Sequence, residues 1–172
     1  MATSALIVKV PEAEQVVHPL RARFDATSHF GVPAHITILF PFMDPSSVTL
    51  EVLQRLQRAL NSTPAFSYSL TSIGHFEATT YLAPSLPEPF ISLTTAVTKE
   101  FPDFPPYEGQ YAEVIPHLTV VHENASHTAA ATIELEKLLR TNPAIQGECR
   151  AVTMIENSSG RWEEMHVFEL PR

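Results

Sequence analysis

A single cysteine, Cys149, stands among 172 residues, which rules out an intrachain disulfide and a cysteine-pair metal site. It falls in a predicted strand and reads as a small core residue. Five glycines, none in a Walker-type arrangement, argue against nucleoside triphosphate hydrolysis and an ATP-dependent ligase. Basic residues are the minority, 11 against 19 acidic, for a net charge of −8. A protein that tracks a long phosphate backbone concentrates positive charge along it, so long RNA is an unfavourable partner. No apolar run approaches the roughly 18 residues of a membrane span. The run at residues 5–10 is short and interrupted by Lys9, no secretion signal is evident, and the expected location is the cytoplasm with no membrane partner. No His-Glu-x-x-His is present, so neither a metal nor another cofactor is expected. Hydrophobic residues at 44% are too many for a disordered chain, and the length suits one domain.

Histidine, by contrast, is plentiful, and two of the eight lie in a repeated tetrapeptide. His35-Ile36-Thr37-Ile38 returns 82 residues later as His117-Leu118-Thr119-Val120. In a strand, His and Thr two apart share one face and the two aliphatic residues share the other. Each copy therefore offers a polar pair to an opening and an apolar pair to a core. Two imidazoles and two hydroxyls suffice to protonate one oxygen, deprotonate another and hold a phosphoryl group between them. One His on a strand is more often structural than catalytic; the repetition shifts the balance towards function.

The surroundings repeat as well. Sliding the chain by 82 positions puts Asp44 on Ser126, both good helix N-caps, with Pro45 suited to a first helical turn. Leu53 lands on Leu135 and Leu56 on Leu138, which keeps an i, i+3 apolar stripe in register. Turn residues at 61–64 and at Asn142-Pro143 end the two helices. Alternating runs follow at residues 66–73 and 148–155, then turns at Gly74 and at residues 157–160, then strand-like runs at 76–82 and 162–170. The predicted unit is strand, helix, strand, strand, used twice.

Ahead of the first unit, residues 4–10 read as a strand and 11–24 as a helix, with Val16, Val17, Leu20 and Phe24 near one face. Arg21 and Arg23 lie late in that helix, where cations suit the dipole and need no ligand to explain them. Residues 83–89 read as a Pro-rich connector, 88–101 as a helix, and 102–109 as a loop leading to the second motif.

The paired His-x-Thr-aliphatic motifs, their spacing, the Pro105-Pro106-Tyr107 loop before the second and the Trp162-bearing last strand resemble the two-histidine phosphoesterase superfamily, in particular its bacterial 2′-5′ RNA ligase-like branch. The resemblance runs from Leu6 to Leu170. It implies an α+β fold of pseudo-twofold design, one domain of two lobes at about residues 1–83 and 84–172, with antiparallel sheets lining a central cleft and helices outside. It also implies metal-free cleavage of cyclic phosphodiesters, with His35 and His117 as acid and base and Thr37 and Thr119 on the phosphate. Where RNA-end enzymes of this kind often carry an Arg five positions past the second His, this chain has His122, whose charge depends on pH.

The expected substrate is thus a nucleotide, a short RNA end or another small cyclic phosphate, handled by a monomer. Ligation through 2′-5′ phosphodiester formation is the reverse of the same chemistry. Sequence leaves open which His is the base. Tyr81, Tyr107, Tyr111 and Trp162 are candidates for stacking on a base, with core packing the commoner use of such residues. His18, His29, His75, His127 and His166 share no spacing and read as surface or structural. A non-catalytic module that binds a nucleotide or cyclic phosphate is the alternative, although a binder would need donors rather than a matched acid and base.

Overall fold

The chain runs β1 (Ser4–Lys9), α1 (Pro11–Phe24), β2 (His35–Leu39), α2 (Leu50–Leu60), β3 (Phe66–Phe76), β4 (Thr79–Pro84), α3 (Glu88–Glu100), β5 (Leu118–His122), α4 (Ala125–Thr141), β6 (Ile145–Cys149), β7 (Ala151–Glu156) and β8 (Glu163–Glu169). This computed structural model describes residues 1–122 and 125–172, with the side chains of all these except Ala125 and Ser126. Two four-stranded antiparallel sheets have the orders β2-β1-β7-β8 and β5-β4-β3-β6. Each motif strand is thus an edge strand of its own sheet, and the two edges, β2 and β5, pack against each other.

Side-chain alternation decides which way the motifs face. Ile36, Ile38, Leu118 and Val120 are buried in one continuous core that also takes Val17 and Leu20 of α1, Leu56 of α2, Leu93 of α3 and Leu135 of α4. Each such aliphatic side chain contributes about 1.5–3 kcal/mol on burial. His35, Thr37, His117 and Thr119 are half-buried on the opposite faces. The central strands β1 and β7 are covered on both sides, because a second small cluster of Ala5, Ile7, Val32 and Ile155, packed by Phe40 and Trp162, lies across the sheet from the main core.

The predicted repeat unit needs its boundaries moved. Residues 148–155, read as one strand, are parts of two. The chain pairs with β3 as far as Cys149, breaks at the exposed Arg150, and continues as β7 beside β1 in the other sheet. The first sheet therefore joins β1 and β2 to β7 and β8, and the expected lobes at 1–83 and 84–172 share their strands. What recurs is β1-α1-β2-α2 as β4-α3-β5-α4, so each unit starts one strand and one helix before its motif.

Helix starts shift for a local reason. Asp44 caps only a single tight turn at Pro45–Ser47, accepting from the Ser46 N–H at 2.8 Å, and α2 begins later with Thr49 accepting from the Val52 N–H at 3.2 Å. The matching cap, Ser126, falls within α4, and its side chain lies outside the described residues. Cys149 is buried as expected, and burial pushes its thiol up to about 12, so it stays protonated and inert. No helix among the described residues is long and apolar enough to cross a membrane.

Candidate active site

Both motif histidines are held in the same way. The ring nitrogen Nδ1 of His35 lies 2.8 Å from the Pro33 carbonyl, and Nδ1 of His117 lies 2.6 Å from the Ile115 carbonyl. A carbonyl only accepts, so each Nδ1 carries the proton and each Nε2 is left as the working nitrogen. The residue two before each His supplies the anchor, which explains why a Pro close ahead of each motif is useful: it stiffens the segment that aims the carbonyl.

A charge on His117 would oppose protonation of His35. Burial holds His35 down to about 4, with a further push from the Arg21 guanidinium, while the hydrogen bond to Pro33 and the Asp25 carboxylate oppose the shift. Burial also lowers His117, opposed by its bond to Ile115. His35 is the more strongly desolvated of the two.

Arg21, read from the sequence only as a cation suited to the helix dipole, has buried partners as well. Its side chain is 1% exposed, with Nε 3.0 Å from Asp25 Oδ2 and a second nitrogen donating to the Val32 carbonyl at 3.0 Å. Glu14 completes the network by accepting from the Ala34 N–H at 2.7 Å. Arg21 and Glu14 thereby tie α1 to the backbone at Val32 and Ala34, directly before His35. A signal was present: Ala13, Val17, Leu20 and Arg21 fall on one helical face, and all four are buried.

Thr37 is reached by a residue from the far half of the chain. Tyr107 and Thr37 line the same pocket, and burial raises the phenol's pKa above its ordinary value, a shift the Thr37 side chain opposes. Tyr107 is pinned by its N–H to the Phe40 carbonyl at 2.7 Å, and Tyr107 and Glu108 both have positive φ, 49° and 56°. Two consecutive non-glycine residues in the left-handed region are sparsely populated and need surrounding structure to hold them. Tyr111 meets the Tyr107 ring edge-on at 5.7 Å.

His117 has an aromatic wall instead. Tyr81 and Phe76 lie 5.2 Å and 5.1 Å from its ring and 4.6 Å from each other. Tyr81 can lie there because its cross-strand partner is Gly74, where any Cβ would run into the tyrosine ring.

The remaining candidates fall elsewhere. His122 ends β5, with Nδ1 2.8 Å from the Thr79 hydroxyl and its backbone bridged to Asp25. Trp162 stands just before β8 and packs edge-on to Phe40 at 6.0 Å as part of the second apolar cluster. Five other histidines have local partners: His18 with Glu14, His29 with the Ala22 carbonyl, His75 with Thr80, His127 with Phe24 and His166 with Phe168. Among the described residues, no three His, Cys, Asp or Glu side chains converge as a metal site would require.

A family model of the 2′-5′ RNA ligase superfamily matches residues 9–161. The chain belongs to that superfamily. Solved structures with the same fold include E. coli LigT complexed with 3′-AMP, at 16% identity, covering 99% of this chain and 98% of that one with a TM-score of 0.64. The protein TT0787 of Thermus thermophilus is similar at 15% identity, 97% coverage of each chain and a TM-score of 0.63. A conserved Agrobacterium tumefaciens protein of unknown function, ATU0111, matches at 17% identity over 98% of this chain and 86% of that one, with a TM-score of 0.53. No curated protein sequence matches. This superfamily of ligases and phosphoesterases accounts for the α+β architecture seen here.

Proposed function

We propose that this superfamily member opens 2′,3′-cyclic phosphates on nucleotides or short RNA ends, without a metal, using His35 and His117 as base and acid. The observation that carries the reading is the matched pair of imidazoles, each with Nδ1 spent on a backbone carbonyl and each followed two residues later by a threonine.

In hydrolysis, Nε2 of neutral His35 takes a proton from water as its oxygen attacks phosphorus. The bond from phosphorus to one ribose oxygen breaks, and that oxygen takes the proton of His117 Nε2. The product is a phosphomonoester. Deeper desolvation of His35 favours it as the base, since a buried imidazole resists carrying charge. A ribose hydroxyl in place of water runs the chemistry in the ligase direction. Thr37 and Thr119 donate to the phosphoryl oxygens, and Tyr107 packs beside Thr37. The net charge of −8 supports small substrates over long RNA.

Turnover of a panel of nucleoside 2′,3′-cyclic phosphates in the presence of EDTA tests this reading, with a phosphomonoester as the expected product. Activity lost on chelation and restored by one metal would overturn the mechanism. Tight binding without turnover would leave the non-catalytic module.

The pH dependence follows from the two lowered pKa values. Lowering pH through about 4 protonates His35 and removes the base. Raising pH through the His117 value, which lies below its ordinary 6.5, removes the acid. The kcat/KM profile is therefore expected to be a bell centred on the acid side of neutrality, each limb abolished by mutating one histidine.

Tyr107→Phe is expected to cost about tenfold in kcat/KM, the loss of the hydroxyl placed beside Thr37 to hold it. A double-mutant cycle separates this from damage to the loop. The cost should vanish in a Thr37→Ala background and persist in a Thr119→Ala background.

A further inference from the structure

The chain carries eleven lysines and arginines, and among the described residues Lys9 is the only one that lies on a β-strand. Its strand, β1, is central, with β2 on one side and β7 on the other, so Lys9 is not a charge placed to guard a sheet edge. The register sets Lys9 directly opposite His35, as it sets Val8 opposite Ile36. Opposed residues leave an antiparallel pair on one face, with Cβ atoms about 4.5–5.5 Å apart. Val8 and Ile36 enter the main core, which puts Lys9 and His35 together on the other face, the one that carries Thr37. Along that face β1 presents Ala5 and Ile7, both buried, and changes to a cation where it comes level with the histidine.

We infer that Lys9 is the subsite for a second phosphate of the substrate, the one on O5′ of the ribose that carries the cyclic phosphate, an inference that rests on the proposed phosphate site between the two His-x-Thr pairs. The lysine is available for it. Its partner Glu164 reaches it from β8, across β7, and the pair is open to solvent, with side chains 41% and 48% exposed. An ion pair so exposed adds little to stability, so a phosphate takes the place of Glu164 at small cost. Arg21 cannot play this part, since it is 1% exposed and spent on Asp25 and the Val32 carbonyl. An ammonium on a flexible four-carbon stem suits a phosphate that lies one ribose away from the reacting one. A second phosphate also adds charge that a protein of net charge −8 repels at long range, so its recognition calls for a cation at the site itself.

Lys9→Met keeps the stem and removes the charge, and Glu164→Gln frees the ammonium. Calorimetry with adenosine 3′-monophosphate and adenosine 3′,5′-bisphosphate reads binding, and kcat/KM for adenosine 2′,3′-cyclic phosphate with and without a 5′-phosphate reads turnover. The unaltered protein should favour the 5′-phosphorylated ligand by about tenfold, and by less at high salt. Lys9→Met should bring that preference to near unity, with the loss carried by the 5′-phosphorylated ligand, and Glu164→Gln should widen it. Equal affinity for the two ligands in the unaltered protein would overturn the assignment. So would a preference that survives Lys9→Met while both variants lower Tm alike, the result expected of a mere tether between β1 and β8. A dinucleotide ending in the cyclic phosphate separates the two sources of such a group: a Lys9-dependent gain there assigns the subsite to short RNA ends, and a gain confined to the 5′-monophosphate assigns it to nucleotides. Preference in binding without any turnover would sink the catalytic reading and leave the subsite standing, whereas equal turnover of the two cyclic phosphates would sink the subsite and leave the acid–base pair.

Discussion

His35→Ala and His117→Ala are each expected to remove about 10²–10⁴-fold of the turnover of a small cyclic phosphate, the usual worth of general acid–base assistance. The double variant should be little worse than either single one, because base and acid act in one proton-coupled displacement and neither helps without the other. Both side chains are half-buried on the face away from the main core, so truncating them leaves Ile36, Ile38, Leu118 and Val120 in place. Unchanged melting curves would verify that the fold survives. Additive losses of only a few-fold in well-folded variants would mean that the histidines bind rather than transfer protons.

Arg21→Ala is expected to carry the largest stability cost of any single change discussed here. It strands the Asp25 carboxylate, 3% exposed, without its counter-charge, and leaves the Val32 carbonyl without its donor. Breaking a buried pair from one side typically costs about 3–5 kcal/mol. For a chain of this size that corresponds to a fall in Tm of roughly 10 °C. The pair Arg21→Met with Asp25→Leu should recover much of the loss, since removing both charges removes the stranded one. Turnover of the still-folded Arg21→Ala protein at low temperature should also drop, because Val32 and Ala34 set the position from which His35 projects. A change below about 1 kcal/mol would mean that the guanidinium is solvated rather than paired inside.

Local rules carry a long way in this chain. Period-two alternation in His35-Ile36-Thr37-Ile38 and His117-Leu118-Thr119-Val120 determines which side chains enter the core and which face away from it, and the structure follows it at all eight positions. Proline positions and apolar stripes locate all four helices, with boundaries moved where Thr49 displaces Asp44 as the cap.

Anything that depends on which strands pair lay beyond those rules. The break at Arg150 is invisible to alternation, because two strands separated by one exposed residue still read as one run; it exists because β6 and β7 find partners in different sheets. In the sequence the helix dipole alone explains Arg21; its place on the buried helical face hints at more, but only the fold shows the carboxylate and carbonyl that meet it. Tyr107 looked like a stacking residue, and only the approach of its loop to β2, pinned by its N–H on the Phe40 carbonyl, brings it beside Thr37. Sequence by itself determined the chemistry available, since residue type and local periodicity are short-range properties. The tertiary structure decided which groups meet, how far each imidazole is desolvated, and where a substrate finds room, since those depend on contacts between residues tens of positions apart.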